Sequence, residues 1–444
     1  MKVLVLGDDG RAHALVWKLF SSPLISELIC GPGNGGTATL APQVEIDQSD
    51  AAGIGRWAFD ETIDLIVPAA GAPLWAGLVD EVVSFHIGVC GPAQRTTRIE
   101  QSRCYAKELL LRYELPTAPG RAFTSLATAE KYLATQQLPV AIKADHPDAG
   151  EGVFAERYGA LQGLHELFGA RASGGNGDGV VIEAYLSGPR IAQSALTDGR
   201  ATQPLLPVRI YDHLREGDEG TPAPGMGACT GTSAYAAKLR AYIHAKLIAP
   251  LVAALDREGL PLWGFVGIDT IITEQGPRIT ALRCALRDGE AQVVLPRLED
   301  DLVPLIQLAI GRRLDQAPPL RWRDEASVGI GLVAQGYPHH FPVGGAIAGL
   351  TDLDEGVLAF HHQTSNAHGM SYTPASSRRS SLSKLLLGSG VQRPAIATTG
   401  GHVLTMVATS ATANSARARA LVNAERIAFP GRSFRADIGQ HEQH

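Results

Sequence analysis

Cysteine is scarce, with five in 444 residues at positions 30, 90, 104, 229 and 284. None forms a CxxC pair or sits beside histidines at metal-ligand spacing, so a disulfide framework and a Cys/His zinc module are excluded. Free thiols in a reducing compartment are expected. Positive charge is not in excess either. The net charge is −6, which lacks the basic field of a nucleic-acid binder. No uninterrupted apolar run approaches the roughly 20 residues of a membrane span. The opening MKVLVLGDDG has no cleavable signal pattern. A cytoplasmic protein with neither nucleic acid nor membrane as partner is therefore expected. Aromatics are only 6%, but hydrophobic residues reach 45%, enough for real cores. At roughly 100–200 residues per domain, this length suggests two to four domains. Glycine and proline are frequent but aperiodic, and no repeat is seen.

Short apolar strands alternate with helical patterns over the first hundred residues. KVLVLG ends in glycine and runs straight into a helical pattern over 12–19. Residues 27–30, 44–46, 62–67 and 85–89 also read as strands. This alternation predicts a doubly wound parallel sheet, with ligands at the carboxyl ends of its strands. The loops 7–10, 31–37 and 68–77 are then the first places to look. A helix over 101–114 leads into a smaller α/β unit, with strands at 139–143 and 180–185. The Gly/Pro-rich stretch 216–227 reads as a loop, 233–258 as one long helix, and 265–273 with 278–282 as a hairpin. Short strands (327–334, 356–360, 401–408) and a helix over 415–427 follow. The Ser/Arg/Leu-rich stretch 373–394 reads as a surface excursion.

Several segments in order then point one way. GDDGRAHAL at 7–15 is similar to GNGGREHAL, and GPGNGGT at 31–37 to APGNAGT. GFVGIDTIITEQG, DGEAQ at 288–292, QGYP at 335–338, TTGGHVL at 398–404 and RADIG at 435–439 follow in the same sequence. The chain resembles the phosphoribosylamine–glycine ligase (glycinamide ribonucleotide synthetase) family across its whole length. The resemblance implies an α/β fold with α+β lobes. A pre-ATP-grasp doubly wound N-domain (1–101) precedes a two-lobed ATP-grasp core (102–324, smaller lobe about 120–187). A small C-terminal α/β domain (325–444) follows. It also implies Mg-ATP as cofactor. ATP would phosphorylate glycine's carboxylate, and the amine of 5-phosphoribosylamine would attack the acyl phosphate.

Residue by residue, the resemblance assigns phosphoribosyl binding to Gly10, Arg11, Gly33, Asn34 and Gly35. Nucleotide binding falls to Arg103, Lys143 and Glu183, and the glycine amine to Asp288 and Glu290, the candidates for catalytic work. Departures cluster on the nucleotide and metal positions. The lysine of the family's GSK is Arg103, and that of AGKG is Glu151, a repulsive charge for phosphate. The second glutamate of IEEF is Ala184, and the arginine of CRFGDPE is Ala285. The Glu and Asn that precede that segment, two residues apart, are Ala281 and Arg283. Alanine cannot ligate, and arginine places a cation where Mg²⁺ belongs. AAG replaces GPE at 69–71, and PAPGMGA replaces NTGGMGA at 222–228. Asp269 stands where other ATP-grasp enzymes often carry a metal carboxylate, and with Glu290 or Asp288 it could rebuild a site.

Plainer readings accompany these. Gly7–Gly10 is also a tight strand–helix turn with an aspartate cap, and Asn34 also a turn residue. Lys143 is equally a strand-end lysine reaching solvent, and Asp288 and Glu290 are equally solvated loop carboxylates. Asp145 and Asp148 read as loop caps. Asp212-His213 matches a family pair or forms an exposed salt bridge. His13 reads as a helix residue packed on the sheet. The pairs His339-His340 and His361-His362 lack a third ligand and read as surface or loop residues. A degenerate or repurposed paralogue with lost or weak ligation is the leading expectation. A ligase with a rebuilt metal site and a non-catalytic binding or partner subunit stand beside it. A small phosphoribosyl or amino-acid ligand and a protein partner are left open.

Overall fold

The computed structural model describes residues 1–168, 179–232, 234–366 and 396–440; the stretch 373–394 lies outside them. The first unit is a four-stranded parallel sheet in the order Glu27–Pro32, Lys2–Gly7, Leu65–Pro68, Gly88–Val89. Its central strand is apolar at successive positions because both faces are covered. Val3 and Val5 pack with Ala12 and Leu15 of the helix Gly10–Phe20. Leu4 and Leu6 face the other way, toward Ile54 of the helix Ala51–Asp60 and Leu78. This is the doubly wound arrangement expected.

Two expected strands differ. Residues 44–46 form none; the chain meets the sheet edge through one bridge, Cys30 to Gln43, with Pro42 beside it offering no N–H. Only Gly88–Val89 of 85–89 is extended, since Val83–Phe85 is a 3₁₀ turn and His86 lies at φ +58°.

The smaller lobe is an antiparallel sheet ordered Gly120–Phe123, Val180–Ala184, Val140–Ala144, Glu151–Phe154. Helices Leu126–Thr135 and Arg157–Phe168 cover one face, with Ala129, Leu133, Ala160 and Leu164 against Val140, Ile142, Val180 and Ile182.

A nine-stranded sheet carries the rest. Its main path runs Gly276–Arg283, Gly264–Thr273, Arg190–Thr197, Val208–Arg215, Glu219–Thr230, Ala326–Val333, His402–Ser410, Leu358–His361. The hairpin 265–282 is as expected, but the stretch 216–227 is not a loop. Residues 216–218 turn and Glu219–Thr230 returns as a strand. Its glycines and prolines accompany two register shifts against Val208–Arg215, so they mark bulges rather than a break. The helix over 234–257 widens to a π segment at His244–Ile248, just ahead of Pro250, whose nitrogen cannot donate. Helix Ala413–Arg426 sets Ala416, Ala420 and Ala424, four residues apart, on Val328, Ile330 and Met406. All five cysteines are buried. Among the described residues no helix is long and apolar enough to cross a membrane.

Candidate functional site

The β-hairpin 264–283 projects Asp269, Ala281 and Arg283 into the cleft between the lobes. Asp269 pairs in register with Ala281, and Arg283 is two residues on, so it shares that face. Arg283 pairs with Asp269, and its Nη2 lies 3.2 Å from Glu290 Oε2. Arg287 grips the second oxygen of Asp269 and also Asp212. Glu290 is fully buried, and its Oε2 further accepts from Ser194 Oγ at 2.9 Å and the Arg287 N–H at 3.1 Å. Asp269, the expected substitute ligand, thus has each oxygen on a guanidinium. Burial pushes the Arg283 guanidinium down to about 10, and the Arg287 charge adds to this. It remains a cation at neutral pH. Asp212 is in a salt bridge, though a buried one.

A cavity of about 220 Å³ adjoins this cluster, lined by Arg103, Lys107, Lys143, Glu183, Ala281 and Arg283 among others. Glu183 sits between two ammonium groups, Lys143 Nζ at 2.7 Å from Oε1 and Lys107 Nζ at 2.8 Å from Oε2. Burial raises its carboxyl, but the two lysines outweigh this and hold it below the ordinary glutamate range. At Lys107 burial wins instead, and the ammonium sits below its usual value. Arg103 lines the cavity with its guanidinium already engaged. It donates to Gly150 O at 2.9 Å and pairs with Glu151 at 3.0 Å. The two altered positions of the nucleotide motifs therefore neutralise one another. Asp145 Oδ1 accepts from Ser102 Oγ and the Cys104 N–H, both at 2.8 Å, and so ties down the start of helix Arg103–Arg112.

In the N-terminal unit the loops holding Gly10, Arg11, Gly33, Asn34 and Gly35 do meet. Asp9 caps its helix through the N–H groups of Arg11 and Ala12, and the Arg11 side chain folds onto the same carboxylate. Asn34 Nδ2 donates to Asp8 O, Asp9 O and His361 O at 3.0, 3.2 and 2.8 Å. Its Oδ1 accepts from Gly36 and Thr37. Gly33 donates to Gly7 O, and Gly35 to Thr364 O. Asn34 is therefore the rivet between two loops of the first unit and the C-terminal segment.

The pair His361-His362 is buried, 5% and 2% exposed, and not on the surface as its sequence context suggested. The strand Leu358–His361 packs on helix Gly10–Phe20, which carries both rings inward. Gly10 donates its N–H to His362 Nδ1 at 3.2 Å, and His13 Nδ1 accepts from the His361 N–H at 2.9 Å. His13 lies edge-on to Phe360, a helix residue against the core. His339 and His340 are exposed as expected.

Sequence reasoning passed over Lys107, Arg287 and His402. Lys107 lies four residues after Arg103 on one helix face, and Arg287 stands at the glycine of CRFGDPE, so both carried a signal. His402 had none within one sequence.

Two lobes closing on such a cleft, with a preceding parallel-sheet unit, define the ATP-grasp class. A phosphoribosylamine–glycine ligase from Thermotoga maritima superposes with a TM-score of 0.80 at 23% identity, covering 98% of this chain and 100% of that one. The biotin carboxylase domain of a Hydrogenobacter thermophilus 2-oxoglutarate carboxylase gives 0.70 at 15% identity, covering 97% and 91%. Family models for the phosphoribosylglycinamide synthetase N domain, ATP-grasp (A) domain and C domain match residues 1–100, 101–291 and 327–441. The phosphoribosylamine–glycine ligase of Brucella melitensis is 33% identical over 443 residues, 99% of this chain and 97% of its own length. That of a Nostoc species is 33% identical over 445, covering 99% of each. The chain belongs to the phosphoribosylamine–glycine ligase family.

Proposed function

We propose that this chain is a family member in which ATP-dependent ligation is lost or very weak. The observation that carries this reading is the seating of Arg283 and Arg287 on Asp269, Asp212 and Glu290. Mg²⁺ needs near-octahedral oxygen donors at about 2.0–2.1 Å. Ala281 offers none, Asp269 and Asp212 face guanidinium groups, and Arg283 reaches Glu290 Oε2, so the residues at the family's metal positions do not fit the ion. The opposing magnitude is large. A unit charge about 4 Å away at an effective dielectric of ~20 contributes roughly 4 kcal/mol, and a divalent ion doubles it. A cavity of about 220 Å³ is also below the roughly 300–1,000 Å³ usual for small-molecule sites.

On this reading the units 1–101, 102–324 and 325–444 form a binding module for a small phosphoribosyl or amino-acid ligand, or the partner subunit of another enzyme. One feature favours an active carboxylate–amine ligase instead: Lys143 and Glu183 still line the same cavity as Asp269. Coupled ADP release with Mg²⁺, ATP, glycine and phosphoribosylamine separates the two. No turnover above background is expected. Turnover at an ordinary ligase's rate, abolished by Lys143→Ala, overturns the reading.

A further inference from the structure

Asp288, His362 and His402 come from three separate segments and converge behind the arginine cluster. Asp288 lies in the loop after the strand Gly276–Arg283. His362 follows the strand Leu358–His361, and His402 opens the adjacent strand His402–Ser410. One donor atom from each lies within 4.8 Å of the others. Asp288 Oδ1 is 3.7 Å from His362 Nδ1, and Oδ2 is 3.5 Å from His402 Nδ1. Two ligands at about 2.0–2.1 Å from a tetrahedral ion stand roughly 3.4 Å apart, so both separations fall a few tenths of an ångström from a bound arrangement. The two imidazoles stack, with centroids 3.6 Å apart and planes 24° from parallel, so one ring must turn out of the stack for both to ligate one ion.

The surroundings are organised around these groups. Gln292 donates to Asp288 Oδ1 at 2.6 Å, and Thr405 Oγ1 holds His362 Nε2 at 2.8 Å. Such outer contacts orient metal ligands. His402 is 7% exposed, and its Nε2 has no hydrogen-bond partner. A Cβ at Gly225 (φ +81°) would stand 2.3 Å from the His402 ring and 3.1 Å from Asp288 Oδ2, so only glycine leaves this space free. Among the described residues, a 3.2 Å hydrogen bond from the Gly10 N–H competes at His362 Nδ1, and an ion would replace it. Arg11, the nearby cation, is already paired with Asp9.

We propose that Asp288, His362 and His402 bind a borderline-soft divalent cation of the zinc class. The two imidazoles select such an ion over Mg²⁺, and three protein ligands leave a fourth position for water or a small ligand's oxygen or nitrogen. The site shares no residue with the Asp269–Glu290 cluster, but its Asp288 is the residue that the family resemblance assigns to the glycine amine.

The test is a Co²⁺ titration of the untagged, chelator-stripped full chain, followed by visible absorption, with Zn²⁺ and Mg²⁺ as competitors. One equivalent of Co²⁺ is expected to give tetrahedral bands that Zn²⁺ abolishes and excess Mg²⁺ leaves unchanged. His362→Gln, His402→Gln and Asp288→Asn should each weaken binding beyond the ~10–100-fold that losing an outer contact costs. Asp269→Asn should leave it unchanged. Zn²⁺ should raise the Tm of the parent protein but not of His402→Gln, which keeps the test decisive if that variant is less stable. Absence of a stoichiometric band overturns the proposal. So do bands that survive in all three ligand variants, which would place the ion on exposed histidines such as His339 and His340.

Discussion

Asn34 and Arg283 are both buried polar residues at the centre of a site, 5% and 9% exposed, yet they are held differently. Asn34 is neutral, and backbone carbonyls and N–H groups satisfy both ends of its amide. Arg283 is charged, and what holds it is other side chains that are themselves ions. The first network is a joint between chain segments and is made to backbone groups. The second depends on matched charges, with Asp269, Asp212 and Glu290 set against Arg283 and Arg287. A fold can therefore keep its joints while the chemistry of its cleft is exchanged.

The largest effect should come from breaking the charged network. Arg283→Ala leaves Glu290 and Asp269 short of a partner in a buried place. The expected loss is about 3–5 kcal/mol in chemical denaturation. A loss under about 1 kcal/mol would mean the cluster is well solvated and open to other cations. Asn34→Ala comes next. It strands several buried backbone groups and should cost about 3 kcal/mol, without changing the cleft. Equal losses from Asn34→Asp and Asn34→Ala would sharpen the comparison, because a charge at the joint cannot donate to three carbonyls.

At Glu183 the contrast can be read by pH. Its carboxyl is held below the ordinary range in the folded chain, so the Lys107 and Lys143 pairs stabilise above the unfolded value of ~4.3. That contribution is lost as pH falls from there through the lower folded value. Glu183→Gln should flatten this part of the stability–pH curve; an unchanged slope would remove the pairing from the account. The smallest effect is expected at Glu151→Ala. Its partner Arg103 keeps carbonyl contacts, and a half-exposed pair contributes less than about 1 kcal/mol.

The order of elements was legible because it rests on local rules. Buried parallel strands read as continuous apolar runs, and the hairpin around residue 275 reads from its turn. What failed depended on tertiary context. Pro222 and Pro224 read as loop residues, but the bulged strand Glu219–Thr230 accommodates them. His361 and His362 read as surface residues because their third companion, His402, is forty positions away from His362 and meets it only in the sheet. In the site, the substitutions at 281 and 283 were visible one at a time. That Arg103 answers Glu151, and that Arg287 joins Arg283 on Asp269, required the folded geometry.

On the proposed reading, guanidinium groups occupy the place of the divalent ion. Calorimetric titration of Mg·ATP into the parent chain, with and without Mg²⁺, tests it most directly, with Ala281→Glu/Arg283→Asn/Arg287→Gly measured alongside. No Mg²⁺-dependent heat is expected in the parent chain, and its appearance is expected in the variant. Magnesium-dependent nucleotide binding in the parent chain, at micromolar strength and unaffected by those changes, would contradict it.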